Sequence, residues 1–199
     1  MKWEILDTTL CYQGFFRVDK FRLRHSLYSG GQSDVLVREL VQHSNAVAVL
    51  PYDPATDRVV LIEQFRTGAI GGPMGPWLLE IVAGLIDPGE RAEIAAVRET
   101  REETGCDPSA LHHVYDYYST PGGFRERVSL YIARVDAGRA SGIHGQIEEG
   151  EDICIRVVGV DEAIGMMESG LITSAQPIVA LQWLAMNRGK LRADWAGKG

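Results

Sequence analysis

The stretch from Gly84 to Cys106, GLIDPGERAEIAAVRETREETGC, limits what this chain can become more than any other, because it gathers acidic side chains on one helix face. From Arg91 to Thr104 there is no Pro or Gly and most residues are good helix formers, so the spacing predicts a helix that Gly105 ends. At about 3.6 residues per turn, Glu99 and Glu103 lie almost one above the other, with Glu102 flanking them. One and two turns earlier, that side carries only Ala92, Ala95 and Ala96, which leave room for another backbone or a ligand. Clustered carboxylates repel one another, so the patch must face open water or hold a cation. Oxygen donors of this kind suit a hard divalent ion, Mg²⁺ or Mn²⁺, rather than zinc.

The remaining chain reads as a scaffold for that face. Its 199 residues suffice for one substantial domain with a small appendage. Hydrophobic content of 45% and charged content of 24% are ordinary for a globular protein, and no apolar run approaches a membrane span. The opening MKWEILDTTL carries two acids and no apolar centre, unlike a secretory signal, so a cytoplasmic protein is expected. A net charge of -7 argues against a nucleic-acid partner, so an anionic substrate needs local arginines and metal ions. Cys11, Cys106 and Cys154 form no CxxC pair and read as buried thiols.

Two regions follow from the patterning, 1–44 and 45–199. The first reads as two or three antiparallel strands around a Gly30-Gly31 turn, with Phe21, Leu23, Val35 and Val37 inward and Arg22, Arg24 and Arg38 on the other face. Such a unit has little core of its own and needs a partner surface. In the second, NAVAVLPYD and RVVLIEQFR read as a hairpin around the turn DPATD, and a Gly-rich loop and PWLLEIVAGLI lead to Gly84. Strands at 111–120, 127–135 and 153–160 follow. A short helix comes next, capped by Asp161 and ended by Gly170, and then a longer one with Ser174 as N-cap. The methionines and Trp183 read as core. His112 and His113 are neighbours on a strand, point to opposite sides, and make a poor metal pair.

Letter by letter, Gly84, Glu90, Arg98-Glu99, Glu102-Glu103 and Gly105 resemble the signature of the Nudix hydrolase family at every fixed position. With a one-in-ten chance at each letter, a random match at a given start is about one in ten million. Thr100 and Cys106 stand where the family usually has aliphatic residues. The resemblance implies an α/β (α+β) Nudix fold, a mixed β-sheet sandwiched between helices, with the small N-terminal antiparallel β subdomain attached. It implies Glu99 and Glu103 as the main metal ligands, with the Ala83 carbonyl and Glu102 assisting. Arg98 and Glu90 become a brace, and Gly84 and Gly105 structural.

Over nearly its full length the chain further resembles the bacterial ADP-ribose pyrophosphatase branch. The likeness rests on YQGFF, LVRE, LIEQFR, PWLLE, VAG, SGIHG, EDI, VALQWL, and Pro121 fifteen residues past Cys106. That resemblance implies Mg²⁺-dependent hydrolysis of ADP-ribose to AMP and ribose 5-phosphate, with Mn²⁺ as a substitute ion. Arg38, Glu39, Arg66 and Leu85 would meet the substrate. Phe15 and Phe16 would hold the adenine across a homodimer with exchanged N-terminal strands, and Thr120, Pro121 and Gly122 would line the terminal ribose. Matching SGIHG forward and EDI backward places the catalytic base at Glu149 and a further metal ligand at Glu151, with Glu148 and Asp152 close alternatives. His43 stands where the branch often has arginine. Two other readings stay open: another nucleotide sugar such as GDP-mannose, or a non-catalytic sensing module, which typically loses the carboxylates kept here.

Overall fold

A computed structural model describes residues 1–146, 148 and 150–196. In chain order the strands are β1 (Trp3–Gln13), β2 (Arg17–His25), β3 (Leu36–Gln42), β4 (Ala46–Asp53), β5 (Arg58–Phe65), β6 (Trp77–Glu80) and β7 (Val82–Leu85). Helix α1 (Ala92–Thr104) follows, then β8 (Ala110–Tyr118), β9 (Phe124–Arg125), β10 (Arg127–Arg134), β11 (Ile143–His144) and β12 (Ile153–Gly159). Helices α2 (Val160–Glu168) and α3 (Ala175–Ala196) end the chain. These elements form two compact units, 1–45 with 117–128, and 46–116 with 129–199.

In the smaller unit β1, β2 and β3 form an antiparallel sheet, and β9 adds to β3 in parallel. Within its first 45 residues the most enclosed side chain is Asp19, which accepts from Arg17 Nε at 2.9 Å and Gln42 Nε2 at 2.9 Å. One expectation fails by a single residue of register. Val37 pairs with Arg22 and is exposed, whereas Arg38 pairs with Phe21, so the two residues have exchanged faces. Because side chains alternate along a strand, a one-residue slip inverts every assignment.

The larger unit is built on strands buried on both faces. All eight residues of β4 are buried, and Val59 to Ile62 of β5 are inaccessible. Val47, Val49, Val60 and Val82 join Ala95 and Ala96 of α1 in one cluster. The alternate positions turn the other way, where Tyr52 stacks 6.3 Å from Trp195 of α3. Helices thus cover both faces of a sheet ordered β11-β12-β5-β4-β10-β8, as the fold class requires. Each large aliphatic side chain so buried contributes about 1.5–3 kcal/mol.

The expected β4–β5 hairpin holds only at its tip. Asp53 closes the turn, its carboxylate accepting from Ala55 N–H and Thr56 Oγ1, and Tyr52–Val59 and Asp53–Arg58 are the paired residues. Beyond them the strands splay and the PWLLEIVAGL segment fills the fork, β6 pairing with β5 and β7 with β4. Buried Ile81 marks the crossing between the two partners.

Several local expectations change. Asp161 does not cap α2, whose N-cap is Gly159; its carboxylate pairs with Arg188 at 2.9 Å instead. Met186 is exposed, Trp183 half-buried, and the buried tryptophan of α3 is Trp195. Cys11 is exposed, Cys154 half-buried and Cys106 buried, all of them free. No helix among the described residues is long and apolar enough to cross a membrane.

Candidate active site

The splayed fork sets Ala83 and Gly84 against α1. Gly84 pairs with Val47 of β4, and on its other side the Glu99 carboxyl lies so close that a Cβ on residue 84 would stand 2.0 Å from Glu99 Cδ. A side chain there would have to displace the Glu99 carboxyl. At the far end of the helix Gly105 closes the last turn at φ 68°, the left-handed position that glycine occupies without strain.

Glu103 is 2% exposed and Glu99 9%, so the acidic face turns into the protein and is no solvated helix end. Burial pushes the Glu103 carboxyl well above the usual range, and the charges of Glu99 and Glu151 push the same way. The Ala83 N–H at 3.2 Å and the positive charge of Arg66 only partly offset them. Glu99 is raised as well, by burial first, against the opposing pull of Arg98. The Ala83 N–H donates to Glu103 at 3.2 Å, so the main chain of β7 lies against the acids.

Arg98 braces the entrance to the helix. Its Nε and Nη2 donate to the two oxygens of Glu90 at 3.2 and 3.1 Å, and Nη2 also donates to the Leu85 carbonyl at 3.2 Å. The fork to Glu90 holds that carboxyl below its ordinary range, helped by the Asp87 N–H. Nη1 reaches Glu99 at 2.7 Å and Glu102 at 3.1 Å. Among the described residues, no three acidic, histidine or cysteine side chains stand together as a ready metal cage. The donor set still suits a hard cation: buried carboxylates, pushed up by burial and by neighbouring acids, stand against the Ala83 main chain.

From the acidic loop, Glu151 has its charge felt at both Glu99 and Glu103, and its Oε2 accepts from Gln146 N–H at 3.0 Å. Glu148 and Asp152 are exposed, and Glu149 lies outside the described residues. His112 stacks on Trp183 at 4.9 Å and His113 contacts Asp116 at 3.2 Å, so neither joins the acids.

The other expected substrate residues divide between the units. Arg66, at the end of β5, belongs to the larger unit with the acids, as does Leu85. Phe15, Phe16, Arg38, Glu39, Thr120, Pro121 and Gly122 belong to the smaller one. There Phe15 is 84% exposed and meets Phe16 edge-on at 4.9 Å. Phe16 packs in turn on His43 at 5.2 Å and on Phe124 at 5.8 Å, and His43 Nδ1 lies 3.4 Å from Glu126. Arg38 folds back on its own Val37 carbonyl at 2.7 Å, and Glu39 pairs with Lys20. Thr120 to Gly122 form the turn before β9, with the Thr120 carbonyl accepting from Phe124 N–H at 3.0 Å.

The NUDIX domain model matches residues 42–181, which include the whole acidic cluster. The chain belongs to the Nudix family. This Nudix chain is 42% identical over 195 residues to an ADP-ribose pyrophosphatase of Haemophilus influenzae, covering 96% of this chain and 90% of that one. It is 42% identical over 193 residues to the ADP-ribose pyrophosphatase of Escherichia coli K12, covering 97% and 92%. A GDP-mannose pyrophosphatase of Cronobacter sakazakii is 35% identical over 172 residues, covering 83% and 88%. In fold, the chain superposes on the crystal structure of an ADP compounds hydrolase with a TM-score of 0.72 at 23% identity, covering 96% and 97%.

Sequence reasoning passed over one group beside the Nudix acids. Glu80 is 7% exposed and accepts from Arg66, Gln64 and Ser174. A lone acid inside the apolar run WLLEIVAG was the available signal, since a buried carboxylate must find partners.

Proposed function

We propose that this Nudix chain is a Mg²⁺-dependent hydrolase that cleaves the diphosphate bond of ADP-ribose to AMP and ribose 5-phosphate, with Mn²⁺ able to substitute. The observation that carries this reading is the buried Glu99–Glu103 pair set against Ala83 and Gly84, in a chain so similar along its length to ADP-ribose pyrophosphatases.

Glu99, Glu103 and the Ala83 carbonyl would hold the ion, with Glu102 and Glu151 completing the set. Bound there, Mg²⁺ supplies an acidified water and neutralises charge on the diphosphate. Glu149 takes the proton of the attacking water as general base. Arg66, half-exposed beside the acids, offers its guanidinium to a diphosphate oxygen pair, and Leu85 borders the substrate. Phe15 and Phe16 stack the adenine, Arg38 and Glu39 contact the nucleotide, and Thr120, Pro121 and Gly122 border the terminal ribose. The exposed apolar β1, with Trp3, Ile5, Leu6, Leu10 and Tyr12, supports a homodimer built through the N-terminal subdomain with exchanged strands. A cytoplasmic location belongs to the same proposal.

The test is a substrate panel in Mg²⁺ with products resolved chromatographically. ADP-ribose should turn over well ahead of GDP-mannose and yield AMP and ribose 5-phosphate. Equal turnover of GDP-mannose would move the assignment to that substrate.

A further inference from the structure

Beside the acids, the β5–β6 ladder builds a second arrangement. Glu80 pairs with Ile62, and Gln64 lies two residues further along the same face, so their side chains meet at 3.2 Å. Two residues on again, Arg66 reaches back and donates Nε to Glu80 Oε2 at 2.8 Å, while its main-chain N–H is fixed by the Pro76 carbonyl at 2.7 Å. The other oxygen of Glu80 accepts from Ser174 Oγ at 2.7 Å. Ser174 stands where the N-cap of α3 was expected, and its hydroxyl serves Glu80.

Glu80 is buried with its two oxygens held by Arg66, Gln64 and Ser174, whereas the Arg66 it holds stays 43% exposed. Binding through Nε does fix the plane of the guanidinium, and the terminal nitrogens carry four further donors. We propose that Glu80, itself anchored by Ser174 and Gln64, is a positioning residue that orients Arg66 as the fork receiving the substrate diphosphate. This rests on the reading above that Arg66 meets the diphosphate. It makes the loop-to-α3 junction part of substrate recognition although Ser174 touches no substrate.

The test is a double-mutant cycle on the full chain with ADP-ribose and Mg²⁺, using Ser174→Ala, Glu80→Gln and Arg66→Ala singly and in pairs. Ser174→Ala should lower kcat/KM by up to about tenfold, chiefly through KM, with the thermal midpoint little changed. Glu80→Gln should act in the same direction and further, and Ser174→Thr, which keeps the hydroxyl, should restore the wild-type value. In the Arg66→Ala background both substitutions should have no additional effect, because the group they position is gone. Full additivity with Arg66→Ala, or wild-type kinetics in both single variants, overturns the positioning role while leaving Arg66 at the diphosphate. Wild-type kinetics in Arg66→Ala itself overturns both that placement and this proposal.

Discussion

At the scale of single residues, the acidic site depends on two close approaches. Glu103 is buried among like charges, so Glu103→Gln should leave the fold intact, and in the proposed site it takes away a carboxylate for the cation. In the wild type, Mg²⁺ at about 100 times its Kd should add ~2.7 kcal/mol of stability by mass action. Glu103→Gln should lose that thermal shift together with turnover; a retained shift would place the ion elsewhere. Gly84→Ala inserts a methyl where Glu99 Cδ now sits, and because a carboxylate end swings more easily than a strand, the Glu99 carboxyl moves rather than the backbone. A displacement of that size should lower kcat about a hundredfold with little change in melting temperature. Glu149→Gln should lower kcat with KM largely kept, as for a general base. If instead Glu148→Gln is inactive and Glu149→Gln fully active, the base stands one residue earlier.

At the scale of elements, α1 shows how a helix accommodates departures from its family pattern. Thr100 and Thr104 are buried, and their hydroxyls donate to the Ala96 carbonyl at 2.7 Å and the Thr100 carbonyl at 2.5 Å. Those carbonyls already accept a helical N–H, so the Thr100 hydroxyl mainly satisfies itself, whereas Thr104 Oγ1 also accepts from the Cys106 N–H at 3.2 Å and so secures the chain beyond the helix. Thr100→Val keeps the shape and removes a buried hydroxyl together with its need for a partner, so stability should change by less than about 0.5 kcal/mol. A loss of several kcal/mol in chemical denaturation would mean that the hydroxyl has a further partner. The helix was legible because its acids, its alanines and Gly105 agree on one register. The β4–β5 hairpin was legible only at its turn, because nothing in two apolar strands tells whether they pair with each other or with a third segment.

At the scale of the whole molecule, acid stability follows from the buried turn that closes that hairpin. Burial pushes the Asp53 carboxyl up, but Thr56 Oγ1 and the N–H groups of Ala55, Ala137 and Thr56 outweigh it and hold it below its ordinary range. A carboxyl depressed in the folded state contributes stability that is complete above its unfolded value, about 3.9, and is lost as pH falls through the folded value. Melting temperature should therefore drop on the acid side of about pH 4, and Asp53→Asn should be less stable at neutral pH with a flatter acid limb. Parallel curves for the two proteins would assign the acid loss to other carboxylates.

The sequence by itself determined the acidic helix and its glycine stop, because these rest on local periodicity, while the pairing of Arg98 with Glu90 was implied by the resemblance to the family signature. Only the tertiary structure decided which way the acids face, why a side chain at Gly84 would displace the Glu99 carboxyl, and how Glu80 and Ser174, 94 positions apart, come to share one hydrogen bond. It also decided which face Val37 and Arg38 take. Those outcomes depend on strand register and on which segment fills an opened hairpin, and both are set by packing between distant parts of the chain rather than by any residue's neighbours in sequence.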